Sequence, residues 1–400
     1  MKTKPDMLVR SDYIEKLDAV RDRPEVAKII TGIRRCGKST LMMQYMQHLR
    51  DSGVDENRIF YINLESEENN YIADHLILQD LINSSIRKDV RTYVFFDEIQ
   101  RVTGWEKSIN SLMVDYDADI YLTGSNAYML SSDLSTYISG RYIEIKMLPF
   151  SFREYIKFHK ISEEIESAFN EYLWHGSFPM IRPAYDENLI KDYLQGIYNT
   201  ILVKDVLTHA NLRNVSVLKD ITRYLFSNIG NITNLLTIAK EANVSVNTAK
   251  SYVAALEEAF IIQKAERYDF RGKKILKSNE KYYVTDTGLR NAILGPSADD
   301  ASRQIENIVY LELIRRGYEV MVGSYRDLEV DFTAIKGSSV EYFQVTQTML
   351  AEQTKEREIR SLNAIKDSYP KTILSLDRII SRPGNGITHR NLIDWLLDAN

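Results

Sequence analysis

The sequence predicts an α/β protein whose first part is a parallel sheet covered by helices, with smaller modules appended. Three observations predict it. Apolar runs of strand length alternate with helix-length segments over the first 150 or so residues. The first run ends in a glycine-containing turn that leads straight into a helical pattern. And 400 residues are more than one ordinary core holds, which predicts about two to four units.

Taken in order, VAKIIT (26–31) reads as the first strand, and Leu41, Met42, Tyr45, Met46 and Leu49 then repeat at helical spacing. RIFYINL (58–64), TYVFFD (92–97), ADIYLTG (118–124) and YIEIKML (142–148) read as further strands. Strands alternating with helices predict a parallel sheet buried on both faces. From LPFSFREYIKFH onward, residues 150 to about 210 read as helices without strands, a helical lid. Residues 215 to about 290 read as two helices separated by a tight turn at Asn243, then a hairpin around Arg271-Gly272, a winged-helix pattern. After the polar stretch GPSADDASR comes a helix (QIENIVYLELIRRG) and three strand-like runs, YEVMVGSY, LEVDFTAI and VEYFQVTQ, which predict a small α/β domain. The expected division is 1–149, 150–214, 215–295 and 296–400.

Composition narrows the function. Hydrophobic content of 44% and charged content of 27% fit a soluble globular chain, and a net charge of -5 argues against wholesale polyanion binding. A single cysteine excludes an internal disulfide framework, and no Cys/His cluster has zinc-site spacing. The N-terminal stretch lacks the apolar core of a signal peptide and no run approaches the length of a membrane span, so a cytoplasmic location with no membrane partner is expected.

The chemistry concentrates in ITGIRRCGKST (30–40). GIRRCGKS fits G-x-x-x-x-G-K-[ST] with Gly32, Gly37, Lys38 and Ser39 in the fixed places. Glycine lets backbone N–H groups curl around phosphate oxygens, the helix N-terminus adds partial positive charge, Lys38 reaches the β- and γ-phosphates, and Ser39 is a Mg²⁺ ligand. Arg35, Cys36 and Thr40 complete the candidate nucleotide-binding set. Cys36 reads either as a small residue the turn tolerates or as a thiol activated at a helix N-terminus. The cofactors implied are ATP and Mg²⁺.

Asp97 ends the apolar strand of YVFFDEIQ and can deliver a carboxylate to the metal; Glu98 can polarise a water for in-line attack on the γ-phosphate. This pair points to an additional-strand ATPase, in which the strand carrying Ser125 and Asn126 (YLTGSN) lies between the first strand and the Asp97 strand. One of those two polar side chains would then report on the γ-phosphate; the alternative is a turn built on Gly-Ser-Asn chemistry. Arg141, in ISGRYIEI, reads either as a finger reaching a neighbouring subunit's nucleotide, which implies a homo-oligomer, or as a salt-bridged surface residue.

The succession GIRRCGKST, FFDEIQRVTGWE, YLTGSN, ISGRYIEIKMLPFSFREY and WHGSFPM resembles bacterial and archaeal AAA+ ATPases of the archaeal origin-recognition type. The resemblance implies a P-loop core and lid followed by a winged helix and a C-terminal domain of restriction-endonuclease-like topology. At matching positions it implies nucleotide and metal roles for Lys38 and Ser39, metal and water roles for Asp97 and Glu98, and Arg141 as the family's Gly-Arg arginine. Nucleases of that topology need an acid on the first helix, an aspartate ending a strand, and (D/E)-x-K on the next strand. Glu306 and Asp331 fit the first two, but the third reads Gln344-Val345-Thr346, so the fold is expected without cleavage.

Against DNA, the hairpin offers Arg267, Arg271, Lys273, Lys274 and Lys277, and the neighbouring helix offers Asn247, Lys250 and Ser251. Packing between domains is the competing reading of that element. Two functions follow: an ATP-hydrolysing AAA+ enzyme whose nucleotide state moves appended domains on DNA, or a slow-hydrolysing switch that works through protein contacts.

Overall fold

The computed structural model describes residues 8–126, 138, 140–207, 212, 214–270, 272 and 274–398, without the side chains of Lys277 and Ser278. The chain divides into two compact units: residues 1–149 with 258–260, and residues 150–257 with 261–400.

The first unit is a five-stranded parallel sheet: β1 (Ala27–Thr31), β2 (Ile59–Asn63), β3 (Thr92–Asp97), β4 (Ala118–Gly124) and β5 (Tyr142–Lys146). Each strand falls within the run that predicts it. Their order is β2-β3-β4-β1-β5, so β4 is indeed inserted between β1 and β3. Both faces are covered, which is why the central strands are apolar without alternation. Ile29, Val94, Phe96, Ile120 and Leu122 pack on one face with Leu78 and Ile82 of the helix His75–Ser85 and with Trp105, Ile109 and Leu112 of the helix Trp105–Asp115. On the other face Phe95 stacks on Tyr121 at 4.7 Å, and Tyr45 of the helix Lys38–Asp51 closes on Tyr121 at 5.1 Å.

That second face also buries an ion pair between Lys28 and Asp119, both wholly inaccessible. Burial lowers the Lys28 ammonium, and Asp119 opposes the shift. The remaining valences are filled: Asp119 Oδ2 accepts the Tyr121 hydroxyl at 2.8 Å and the Asp22 N–H at 2.9 Å, while Lys28 Nζ also donates to the Arg23 carbonyl at 2.6 Å.

In the second unit, residues 150–207 are helical. Ser151 and Glu154 form a reciprocal cap on the helix Phe152–His159, whose Phe152 and Tyr155 pack against Phe169 and Tyr172 of the helix Ile165–His175. The helices Leu235–Glu241 and Val246–Glu258 flank the turn at Asn243, which takes a left-handed φ of 51°. The hairpin follows as β7 (Ile262–Asp269) and β8 (Lys274–Val284).

The sequence places a boundary between residues 295 and 296; the sheet runs across it. β7 pairs in parallel with β9 (Glu319–Tyr325), which continues antiparallel to β10 (Leu328–Lys336) and on to β11 (Ser339–Val345), then parallel to β12 (Lys371–Ser375) and β13 (Ile387–Asn391). With the two-residue β6 (Ile232–Thr233) at one edge, the order is β13-β12-β11-β10-β9-β7-β8-β6. The helix Ala301–Arg315 packs Ile305, Ile308 and Val309 into the core.

Candidate nucleotide-binding and hydrolysis site

β1 delivers the chain to the carboxyl edge of the sheet, and the phosphate loop turns there. Gly32 sits at φ 145°, where a Cβ would lie 2.1 Å from the Met147 carbonyl oxygen, so only glycine fits. Gly37, at φ 105°, immediately precedes the helix Lys38–Asp51. Lys38 is buried; its Nζ donates to the carbonyls of Gly32 at 3.0 Å and Ile33 at 3.3 Å, so the loop already curls around the ammonium. Ser39 and Thr40 occupy the first helical turn half-buried, and Arg35 is exposed with φ 66°. Cys36 is inaccessible, its Sγ 3.7 Å from the Met147 carbonyl oxygen. Burial pushes its thiol up, the opposite of an activated thiolate, so the structure favours the small packing residue over the redox reading.

Asp97 and Glu98 reach the same edge from β3. Asp97 is buried, with Oδ1 bonded to the Thr123 hydroxyl and Oδ2 accepting the Tyr61 hydroxyl at 3.3 Å. Burial, then the Asp97 charge, pushes the Tyr61 phenol up, so it stays a donor. Thr123 Oγ1 also accepts the Glu98 N–H at 2.9 Å, which ties the two acidic residues to one hydroxyl of β4. Glu98 adopts a left-handed φ of 57°, a costly conformation for glutamate and one that concentrates at functional sites. Gly124 pairs with Thr31, which brings Ser125 and Asn126, both buried, to the same edge beside Gly32.

Arg141 lies elsewhere. Ala27, the first residue of β1, pairs with Tyr142, so Arg141 stands at the amino edge, roughly 16 Å of strand away from the phosphate loop. Its Nη2 donates to Asn110 Oδ1 at 2.9 Å and its Nε to the Ile138 carbonyl at 3.2 Å.

Serine hydroxyl and buried carboxylate are hard oxygen donors of the kind Mg²⁺ takes, and they sit at one sheet edge; Ser39 and Asp97 fit that ion.

A second acidic site lies in the other unit. Glu306, Asp331, Gln344 and Thr346 line one polar cavity of roughly 370 Å³ with Glu329, Arg357 and Glu358. Lys281 on β8, which the sequence reading missed, pairs with two of those carboxylates: Nζ donates to Glu306 Oε1 at 3.0 Å and pairs with Glu329 Oε1 at 2.7 Å. Tyr283 also donates to Glu306 Oε1, at 2.6 Å. Burial alone would lower the Lys281 ammonium, but Glu306, Asp331 and Glu329 outweigh it and push it up. Gln344 spends its Oε1 on the Asp331 N–H at 3.2 Å, and Asp331 Oδ2 accepts the Val345 N–H at 2.8 Å. Among the described residues no group of three or more His, Cys, Asp or Glu is arranged to hold a metal ion.

Of the expected DNA contacts, Asn247, Lys250 and Lys274 are exposed. Arg267 is half-buried and donates from Nη2 to Ser324 Oγ of β9 at 3.0 Å. Ser251 spends its hydroxyl on the Asn247 carbonyl at 3.1 Å. Arg271, Lys273 and the side chain of Lys277 lie outside the described residues. No helix among the described residues is long and apolar enough to cross a membrane.

A strand, a glycine-bounded loop holding a lysine, and an Asp-Glu pair on a strand one removed thus share one edge of a five-stranded parallel sheet. The AAA domain family matches residues 25–156, and a domain of unknown function (DUF8612) matches residues 166–300, across the expected boundary at 214 and 215. An uncharacterized protein of Haemophilus influenzae is 36% identical over 400 residues, 98% of this chain and 99% of that protein. The uncharacterized protein MJ1544 of Methanocaldococcus jannaschii is 33% identical over 366 residues, 86% of this chain and 80% of that protein. The chain belongs to one family with these two proteins and carries its AAA domain at the N-terminal end. AMPPCP-bound DnaA from Aquifex aeolicus shares 17% identity with a TM-score of 0.32, covering 63% of this chain and 88% of that one. PCH-2 of C. elegans shares 14% with a TM-score of 0.28, covering 62% and 67%. Those scores are too low to support a structural argument.

Proposed function

We propose that this protein binds and hydrolyses ATP at the edge formed by β1, β3 and β4, and that the nucleotide state moves its appended domains, with DNA as the target. The observation that carries the reading is the convergence of Lys38, Asp97 and Glu98 on one sheet edge, with Thr123 locking both acids. Lys38 exchanges its loop carbonyls for the β- and γ-phosphates, Ser39 and Asp97 hold Mg²⁺, and that ion neutralises charge on the phosphates when bound. Glu98 accepts the proton of a water that attacks the γ-phosphorus; the bond to the β-bridging oxygen breaks and its electron pair leaves with ADP. Ser125 and Asn126 sense the γ-phosphate. Arg141, remote from its own loop, acts on a neighbouring subunit's nucleotide in an oligomer.

The C-terminal strands support an endonuclease-like reading of residues 296–400: β9 to β13 lie in sequence order, with β10 antiparallel to its neighbours and β11, β12 and β13 parallel. Lys281 supplies a fixed positive charge among its carboxylates, and the domain is expected not to cut. Mg²⁺-dependent cleavage of plasmid that disappears in Asp331→Ala would overturn this.

One observation favours the slow, protein-contacting switch: Arg267 turns into the sheet, leaving fewer cations for phosphate. Steady-state ATP turnover with and without duplex DNA at two salt concentrations separates the readings. Stimulation that fades with salt supports DNA as the target; slow turnover indifferent to DNA supports the switch.

A further inference from the structure

We propose that Gln100 is a positioning residue of the hydrolysis site, holding the Glu98 carboxylate in place to take a proton from the attacking water; this rests on the ATPase reading above. Gln100 lies in the tight turn Ile99–Arg101, directly after Glu98 at the carboxyl edge of β3. The turn is pinned: Arg101 N–H donates to the Glu98 carbonyl at 3.1 Å, Ile99 is wholly buried, and the Glu98 N–H is fixed by Thr123. Within it the Gln100 side chain folds back, and its Nε2 donates to Glu98 Oε2.

The partner fixes the amide's orientation. An ionised carboxylate only accepts hydrogen bonds, so the nitrogen must face it and Oε1 must turn away. That Oε1 is buried and, among the described residues, has no hydrogen-bond partner. An oxygen so enclosed is out of a water's reach, so the working part of the side chain is the N–H it donates to Glu98. That bond fixes one oxygen of the carboxylate and leaves Glu98 Oε1 for the proton of the attacking water, a positioning contribution distinct from ATP binding.

The test compares Gln100→Met, near in shape but lacking both donor and acceptor, with Gln100→Glu, which keeps acceptors and loses the donor. Glu98→Gln serves as the reference. ATP affinity is measured by calorimetry, turnover at saturating ATP, and folding by thermal melting, all on the full chain. The expected result is a fall of about 10- to 100-fold in kcat for both Gln100 variants, with ATP affinity within about twofold of the parent and melting unchanged. Turnover within about twofold of the parent in both variants, while Glu98→Gln is inactive, would overturn the proposal. So would affinity, turnover and melting all falling together, which marks a purely structural residue. If the parent binds no ATP, or Glu98→Gln turns over normally, the ATPase reading itself fails and this inference goes with it.

Discussion

Each unit gathers acidic side chains beside its sheet, and the two sets differ in what faces them. Asp97 is met by two neutral hydroxyls, Thr123 and Tyr61. Both hydroxyls donate to it and carry no charge of their own. Glu306 and Glu329 are met by the Lys281 ammonium. One cation is thereby shared between two carboxylates inside the protein, which leaves less of their charge to draw in an ion. Acids beside the two sheets therefore meet different partners, neutral hydroxyls in one unit and an ammonium in the other.

Four substitutions press on this contrast. The largest effect is expected for Asp97→Asn, which keeps the shape and an acceptor for one of the two hydroxyls but removes the charge: ATP turnover should fall on the order of 100-fold or more, with the folded state retained on melting. Retained turnover would erase the distinction between the two sites. Next, Lys281→Met leaves Glu306 and Glu329 without their cation, at a cost of about 3 to 5 kcal/mol read by denaturant unfolding, while ATP hydrolysis in the other unit persists. A stable variant would mean the lysine is not what holds the acids.

Asp331→Asn tests the sign of the same network. Burial, then the Glu306 charge, holds the Asp331 carboxyl well above the ordinary carboxylate range. A group raised in the folded state contributes stability that is complete below its unfolded value and lost as pH rises through the folded one. The parent should thus weaken on the alkaline side, and Asp331→Asn should remove that loss, by about 1 to 2 kcal/mol at pH 8. A variant that is less stable than the parent at pH 8 would show the charge to be favourable after all. The smallest effect belongs to Asp74→Ala in the first unit: Asp74 accepts the N–H groups of Leu76 and Ile77, and losing this cap should cost about 0.5 to 1 kcal/mol there. No change in the Lys281 network should accompany it.

The phosphate loop was legible because its determinants are local. Gly32, Gly37, Lys38 and Ser39 fall within eight residues, and strand and helix periodicity on either side supply the context. The five strands were legible because a sheet buried on both faces writes itself as uninterrupted apolar runs. Lys281 was not legible: it lies on a strand with lysines and a glutamate nearby, KSNEKYY, and a charge there reads as a solvated face. Its burial depends on β8 joining, through β7 and β9, the sheet that carries Asp331, a pairing between segments far apart in the chain. The Arg267 contact was not legible for the same reason, since its partner Ser324 is 57 residues away. Gln100 was quoted within its motif and passed over, because only the folded turn shows one amide atom engaged and the other unmatched.

The sequence by itself determined the elements, the loop that receives phosphate and the acids that face it, since each depends on spacing within a few residues. Tertiary structure alone decided which acids remain available and which are already matched. Whether a carboxylate is neutralised depends on groups within a few ångströms in space, and those come from strands whose pairing no local pattern specifies.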